Sequence, residues 1–346
     1  MEIYIFNQLD RQLLGIIEAF EYLRWTRSYS SCGSFGLRAI ATPENIALLK
    51  IGNILWKNDD QEAGLIEFLE MTMQEQEFIV VSGRFATSLL ARRIVMGIAI
   101  LNSDLGIAIG TLINDNIISP IVQDRIINGI TYTPQTLGAS VNTQISWTNL
   151  MNAIIDLCES ADVGIRTVFE PATGTFDIQL YNGAHTMAVF SKEYENIIEQ
   201  IFTRSVSDFA SLAIVGGEGE GSERTIINVG GGDGEGRYEI FVDAKDLRSE
   251  DFPDDYIAAL IFRGNQKLAE KALIEAFDVT VNQYGNLIYK TDFDIGSQIH
   301  VVSKRWGISI SARITEVEEN YDRTGMSLSV TLGKPLPTLS QKLKEI

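Results

Sequence analysis

Residues 216–236 read GGEGEGSERTIINVGGGDGEG, two glycine clusters around a β-branched run. Glycine-rich loops hold phosphates where their backbone N–H groups open a helix. The stretch therefore decides between a nucleotide-binding α/β fold and a β fold with loose turns. A dinucleotide fingerprint needs glycine at i, i+2 and i+5. The fifth residue after Gly217 is Ser222, after Gly219 Arg224, after Gly230 Glu235 and after Gly232 Arg237. No Gly-Lys-Ser/Thr ending is present, and β-branched sequence rather than a helix follows the first cluster. Glu218, Glu220, Glu223, Asp233 and Glu235 would also repel a phosphate. Acids alternating with glycine can line a calcium loop, but EF-hand spacing and a nonapeptide repeat are both missing. The stretch reads as a strand at 225–229 between two solvated acidic turns.

Outward from there, SLAIVGG, RTIINVG and RYEIFVDAKDL predict three strands, and Pro253 with Asp254 and Asp255 predicts the start of a long helix. Ile257, Leu260, Ile261, Leu268 and Ala272 would form its inner face. Further on, FDVTVNQ, LIYKTDF, SQIHVVSK, ISISARITEVEENY and MSLSVTLG read as strands of a barrel-like module. The first hundred residues give a similar impression. In EYLRWTRSYSSCGSFGLRAI, Leu23, Trp25, Arg27 and Tyr29 share a strand face and Gly33-Ser34 offers a turn. Thr42-Pro43-Glu44 starts a brief helix, and RFATSLLARR reads as a helix closing the unit.

Between these regions the texture is α+β. Residues 94–113 are long and apolar enough to suggest a membrane span, but Asn102, Ser103 and Asp104 sit at its centre. They read better as a strand end and N-cap for a helix beginning near Leu105. No stable membrane insertion is expected, and the N-terminus carries no secretory signal. ISPIVQDRIINGITY is strand-like after its proline; SWTNLMNAIIDLCESA is an amphipathic helix with Ser146 as N-cap. Two strands flank the turn Pro171-Ala172-Thr173-Gly174, and 185–207 fits either a helix or strands. The predicted class is α+β, mainly β: two β-barrel-like (split-barrel) domains with α+β material between. The expected segments are a first barrel at 1–98, an α+β domain at 99–184, and strands with Gly-rich turns and a long helix at 185–277. A second barrel at 278–336 and a polar tail at 337–346 complete the chain.

Composition narrows the chemistry. With 28 basic and 46 acidic side chains the net charge is −18, so the chain has no general attraction for nucleic acid or anionic lipid. Two cysteines, Cys32 and Cys158, make neither a zinc site nor a disulfide framework, and the two histidines, His185 and His300, sit in strand-like sequence. Asp292-Phe293-Asp294 reads as a turn feeding a strand rather than a metal-binding DxD. Arg24, Arg27 and Arg38, interleaved with Trp25, Tyr29 and Phe35, read as a barrel wall rather than a single-strand-binding face. No catalytic, cofactor-binding or metal-binding residues are assigned, and no cofactor is expected. The four tryptophans read as core residues, a poor supply of sugar-stacking platforms.

The order of four segments resembles the tail hub proteins of long-tailed phages and phage-tail-like particles. They are EYLRWTRSYSSCGSFGLRAI; VVSGRFATSLLARRIV, with Ser82-Gly83-Arg84 and Arg92-Arg93; LAIVGGEGEGSERTIINVG with GEGRYEIFVDAKDL, containing Arg224, Arg237, Glu239 and Asp243; and YKTDFDIGSQIHVV with ARITEVEENYDRTG. The resemblance implies a structural baseplate-hub or tail-tip protein, a homotrimer giving two barrels per subunit to a ring. That ring would act as a symmetry adaptor between a hexameric tail tube or distal tail protein and a trimeric spike or fibre. It implies a virion component assembled in the host bacterial cytoplasm, in a contractile, flexible or tailocin-like particle. The acidic charge would line a channel through which DNA passes without sequence-specific binding. Many such proteins continue into a lytic domain, whereas this chain stops soon after its second barrel, so a non-enzyme is expected. The rival readings are a tail-tip glycosidase or lysin built on carboxylates, and a carbohydrate-binding module.

Overall fold

The computed structural model describes residues 1–73 and 76–334; the expected polar tail at 337–346 lies outside them. Strand accounts for 46% of the chain and helix for 20%, which makes the fold mainly β as expected.

The N-terminal segment contributes β1 (Ile3–Phe6), β2 (Leu13–Ile17), β3 (Tyr22–Ser28) and β4 (Ser34–Ile40), then helix α1 (Pro43–Leu48), β5 (Ile54–Lys57), β6 (Ala63–Met73) and β7 (Glu77–Phe85). Thr42 caps α1 by accepting from the Asn45 N–H, with Pro43 in the first turn, as its sequence predicts. Alternation is clean in β4, where Phe35, Leu37 and Ala39 are buried. The apolar run at 86–92 forms a buried 3-10 turn rather than an α-helix.

Next come β8 (Ile98–Asp104), α2 (Leu105–Ile113), β9 (Ile130–Tyr132), β10 (Ser140–Ser146), α3 (Leu150–Ser160), β11 (Gly164–Glu170) and β12 (Thr175–Tyr181). Asp104 ends β8 and caps α2, accepting from Gly106, Leu137 and Gly138 N–H groups. The suspected membrane segment is thus a strand, a cap and a nine-residue helix. Among the described residues no helix is long and apolar enough to cross a membrane. The N-cap of α3 is Asn149, not Ser146: its side chain accepts from the Met151 and Asn152 N–H groups, while Trp147 turns the chain at φ 50°. Only three residues of the expected strand after Pro120 pair, as β9.

The ambiguous segment after β12 is extended: β13 (His185–Ser191) and β14 (Ile197–Ser205). The glycine-rich stretch lies among β15 (Leu212–Gly216), β16 (Ile226–Gly230) and β17 (Glu239–Asp243), a three-stranded sheet with β15 central. Helix α4 (Tyr256–Glu270) follows, starting three residues later than Pro253 suggests. The chain ends in β18 (Ile274–Val281), β19 (Gln298–Ser303), β20 (Ile308–Asp322) and β21 (Gly325–Gly333). LIYKTDF is a turn with a single Tyr289–Phe293 bridge rather than a strand, and Asp292-Phe293-Asp294 feeds the segment before β19.

The strands of the two expected barrel-like units join in one hydrogen-bonded sheet while keeping separate hydrophobic cores. The order β14-β18-β21-β20-β3-β4-β7-β6-β5-β1-β2 runs through a single 13-stranded sheet, with β13 and β19 branching from β20. None of the sheets closes into a barrel among the described residues. The cause is β20, whose fifteen residues serve two neighbours in succession on one side. Ile308–Arg313 pair with β19, and Glu316–Asp322 pair with β3, while β21 runs along the other side. Strands from the two ends of the chain thereby extend one sheet instead of folding back on themselves.

Candidate assembly surfaces and the ionic seam

Where β20 meets β3, alternation directs Trp25 and Arg27 on β3, and Glu319 and Tyr321 on β20, toward the interior. Lys57 at the end of β5 and the turn residues Asp60 and Glu62 meet them there, joined by Tyr289, Lys290 and Asp294 from the loop before β19. Lys57 Nζ lies 2.5 Å from Glu319 Oε2 and 2.9 Å from Asp59 Oδ1. The Tyr289 and Tyr321 hydroxyls donate to Glu319 at 3.1 and 2.6 Å. Arg27 Nη1 donates to Asp294 Oδ1 at 2.6 Å and to the Tyr289 hydroxyl at 3.1 Å, and its Nε lies 3.7 Å from Asp60 and 3.8 Å from Glu62. Trp25 Nε1 donates to Asp60 Oδ2 at 3.1 Å.

Burial works against charge throughout this seam, and partners decide the outcome group by group. Burial would lower the Arg27 and Lys57 pKa values, but surrounding carboxylates outweigh it and hold both cations charged. Burial would likewise raise Asp60, yet Arg27, Lys290 and Lys57 keep it below the usual carboxylate range. Glu62 goes the other way: burial pushes it up to about 8, outweighing Arg27, Arg166 and a backbone N–H of Thr167, while Asp60 repels its charge. Such a network ties distant segments together, although the buried Nε of Arg27 lacks a hydrogen-bond partner, and it is costly to break from one side. Its buried, ion-paired side chains make it a structural seam.

The glycine-rich sheet is the seam's opposite. Gly219, Gly221, Gly230, Gly232 and Gly234 all have positive φ, so the glycines turn the backbone and offer no helix N-terminus. Ala213, Val215, Val229 and Val242 pack beneath α4. The helix face differs from the hydrophobicity-based expectation, because Ile257 and Ile261 are exposed while Tyr256, Leu260, Gly264 and Leu268 form the stripe on the sheet. Gly264 decides this, since a Cβ there would lie 2.7 Å from Val229 and 2.9 Å from Val215. The outer sheet face carries Ile214, Ile226 and Phe241 beside Glu239 and Asp243. Arg224 stacks over Phe241 and pairs with Asp243, and Arg237 pairs with Glu239.

The branched 13-stranded sheet also leaves three terminal strands, β2, β14 and β13. Leu13, Leu14 and Ile16 are exposed on the first, Ile198 and Ile201 on the second. Unpaired edges bearing apolar side chains are sites for further pairing unless something covers them.

Of the residues singled out from sequence, Arg27 joins the seam, Arg38 stacks on Phe78 and pairs with Glu21, and Arg84 pairs with Glu67. His185 and His300 are exposed on strands, and burial raises the Cys158 thiol and pushes Cys32 up to about 12. Two tryptophans depart from the core reading, Trp147 and Trp306 being exposed. Sequence reasoning missed the seam, although charged residues at inward positions, Arg27 between Trp25 and Tyr29 and Glu319 between Val317 and Tyr321, are its signature.

The chain belongs to the family described as Siphovirus ReqiPepy6 Gp37-like protein, a phage tail protein family, whose sequence profile matches residues 2–334. No curated protein matches it in sequence. In fold it is similar to the 43 kDa tail protein of prophage MuSo2 from Shewanella oneidensis, at TM-score 0.65 and 15% identity, covering 97% of this chain and 99% of that one. Prophage tail protein gp18 from Listeria monocytogenes gives TM-score 0.61 at 12% identity, with 99% of each chain covered. A chain of the Francisella PdpA–VgrG complex gives TM-score 0.53 at 10% identity, over 97% of this chain and 53% of that one.

Proposed function

We propose that this phage tail protein is a structural hub at the distal end of the tail, three copies closing a ring between the tail tube and a spike or fibre. The observation that carries the reading is the fold shared with prophage tail proteins along nearly the whole chain. Rotational assembly joins unlike surfaces of neighbouring copies. The phage tail family and the shared fold with prophage tail proteins support the setting. The fold shared with a chain of a PdpA–VgrG complex supports a spike-type partner on one face of the ring. The role is architectural rather than catalytic. Part of the net charge of −18 would face the bore, where like charge lets DNA pass without sticking.

Electron microscopy and light scattering of the purified protein, alone and with its tube protein, test this. Threefold rings are the expected result. A monomer that persists under both conditions overturns the reading.

A further inference from the structure

Upstream of β8 and along it, apolar side chains of residues 94–101 are exposed on both sides of a bend at Gly97, φ 78°. Val95 and Leu101 are buried, while Ile94, Met96, Ile98 and Ile100 point outward, Ile98 at 65% exposure. Trp147, 68% exposed, is fixed beside them: its N–H donates to the Val95 carbonyl at 3.0 Å, and Val95 N–H donates to Thr148 at 2.8 Å. Arg92, Arg93 and Arg125 gather at the Ile94 end of the segment. Arg93 Nε donates to the Arg125 carbonyl at 2.7 Å, and Arg125 Nη2 donates to the Ile94 carbonyl and to Asn116 Oδ1. None of the three has a carboxylate ion-pair partner among the described residues, and burial together with Arg125 and Arg92 lowers the pKa of Arg93. Three arginines without a carboxylate ion pair beside exposed apolar surface are unusual in a chain of net charge −18.

The glycine-rich sheet has the complementary surface. Its outer face exposes Ile226 and Phe241, and Phe241 is 59% exposed. Asp243 and Glu239 are engaged by Arg224 and Arg237, so Glu220, Glu223, Asp233 and Glu235 remain without cations among the described residues. No ion pair joins this face to the three arginines within one chain.

We infer that the Ile94–Ile100 segment with its arginines docks the acidic outer face of the β15–β17 sheet of a second copy of this chain. The contact joins unlike surfaces, so each copy receives one neighbour and is received by another, and the pairing closes a ring. The apolar centres supply buried area, and the arginine and carboxylate rims set orientation and select the partner. This rests on the hub reading and names which faces meet in the ring.

Thiol trapping tests it. Ile98→Cys and Phe241→Cys alter exposed side chains, which a fold tolerates, and the native thiols are a poor background because burial keeps them protonated. Mixed single variants treated with a short bis-maleimide should give a covalent heterodimer, and the double variant a covalent trimer. Arg92→Glu should weaken self-association about tenfold, with Glu220→Arg combined with Glu223→Arg restoring it. If the wild type forms rings but neither trapping nor charge reversal has an effect, the docking faces are wrong and the hub reading stands. Trapping of Ile98→Cys onto an added tube or spike protein, without self-trapping, also overturns the assignment. A wild type that stays monomeric alone and with its tube protein overturns both readings.

Discussion

Two clusters of acidic residues in this chain have opposite fates. In the seam, Asp60, Glu62 and Glu319 are each less than a tenth exposed, and the first and last are matched to cations carried by distant parts of the sequence. In the glycine-rich sheet, Glu220, Glu223, Asp233 and Glu235 face solvent on turns that glycine alone makes accessible. The first cluster fixes the fold. The second leaves a surface unspent. Side-chain type does not separate them; what separates them is whether strand alternation delivers a charge to the interior or a turn presents it to water.

The sharpest way to break the contrast is to unbalance the seam. Lys57→Met removes the fully buried cation and leaves Glu319 with only the more distant Lys290, so chemical denaturation should show a loss of about 3–5 kcal/mol. Combining it with Glu319→Leu should recover a large part of that loss, since the pair as a whole is worth little against apolar replacements. On the other side of the comparison, Gly264→Leu forces α4 off Val215 and Val229. It should cost about 1–3 kcal/mol, seen as faster hydrogen exchange in β15 and β16 with the seam strands unchanged.

Glu62 supplies a pH test. Its folded pKa of about 8 lies above the ordinary glutamate value of 4.5, so the native state holds a proton that the unfolded chain releases across that window. Stability from this group is therefore present below the unfolded pKa and falls as pH rises toward 8, by at most about 1.4 kcal/mol per pH unit. Glu62→Gln should flatten that slope in melts taken at pH 5, 7 and 8.5. The smallest effect belongs to the glycine-rich turns, where Glu220→Ser with Glu235→Ser should leave the monomer's stability within about 0.5 kcal/mol.

Much of the local structure was legible because it rests on short-range rules. Thr42 and Asp104 cap helices as their neighbours suggest, and the glycine clusters fail as phosphate cradles for reasons visible in register and charge. Local rules misled where a neighbour distant in sequence decides. Ser146 lost the cap of α3 because Trp147 takes a left-handed turn against Val95, and Asn149 stands one residue before the helix. Ile257 and Ile261 lost the inner face of α4 to a stripe through Gly264, because closeness to the sheet counted for more than side-chain hydrophobicity. That the two expected barrel-like units share one sheet was not legible, because nothing near β3 announces that its partner arrives at Glu316–Asp322. The seam was hidden for the same reason.

That late partner has a consequence for synthesis. β3 is made near the start of the chain, yet its neighbour β20 leaves the ribosome after some 288 further residues, counting from Ser28 to Glu316. At roughly 5–20 residues per second that is a wait of about 15–60 s. During it Arg27 and Lys57 lack Glu319, and the edge of β3 is open to any other strand. The nascent chain therefore needs protection for that interval, and the 13-stranded sheet is completed only after translation reaches β20, which orders particle building behind protein synthesis.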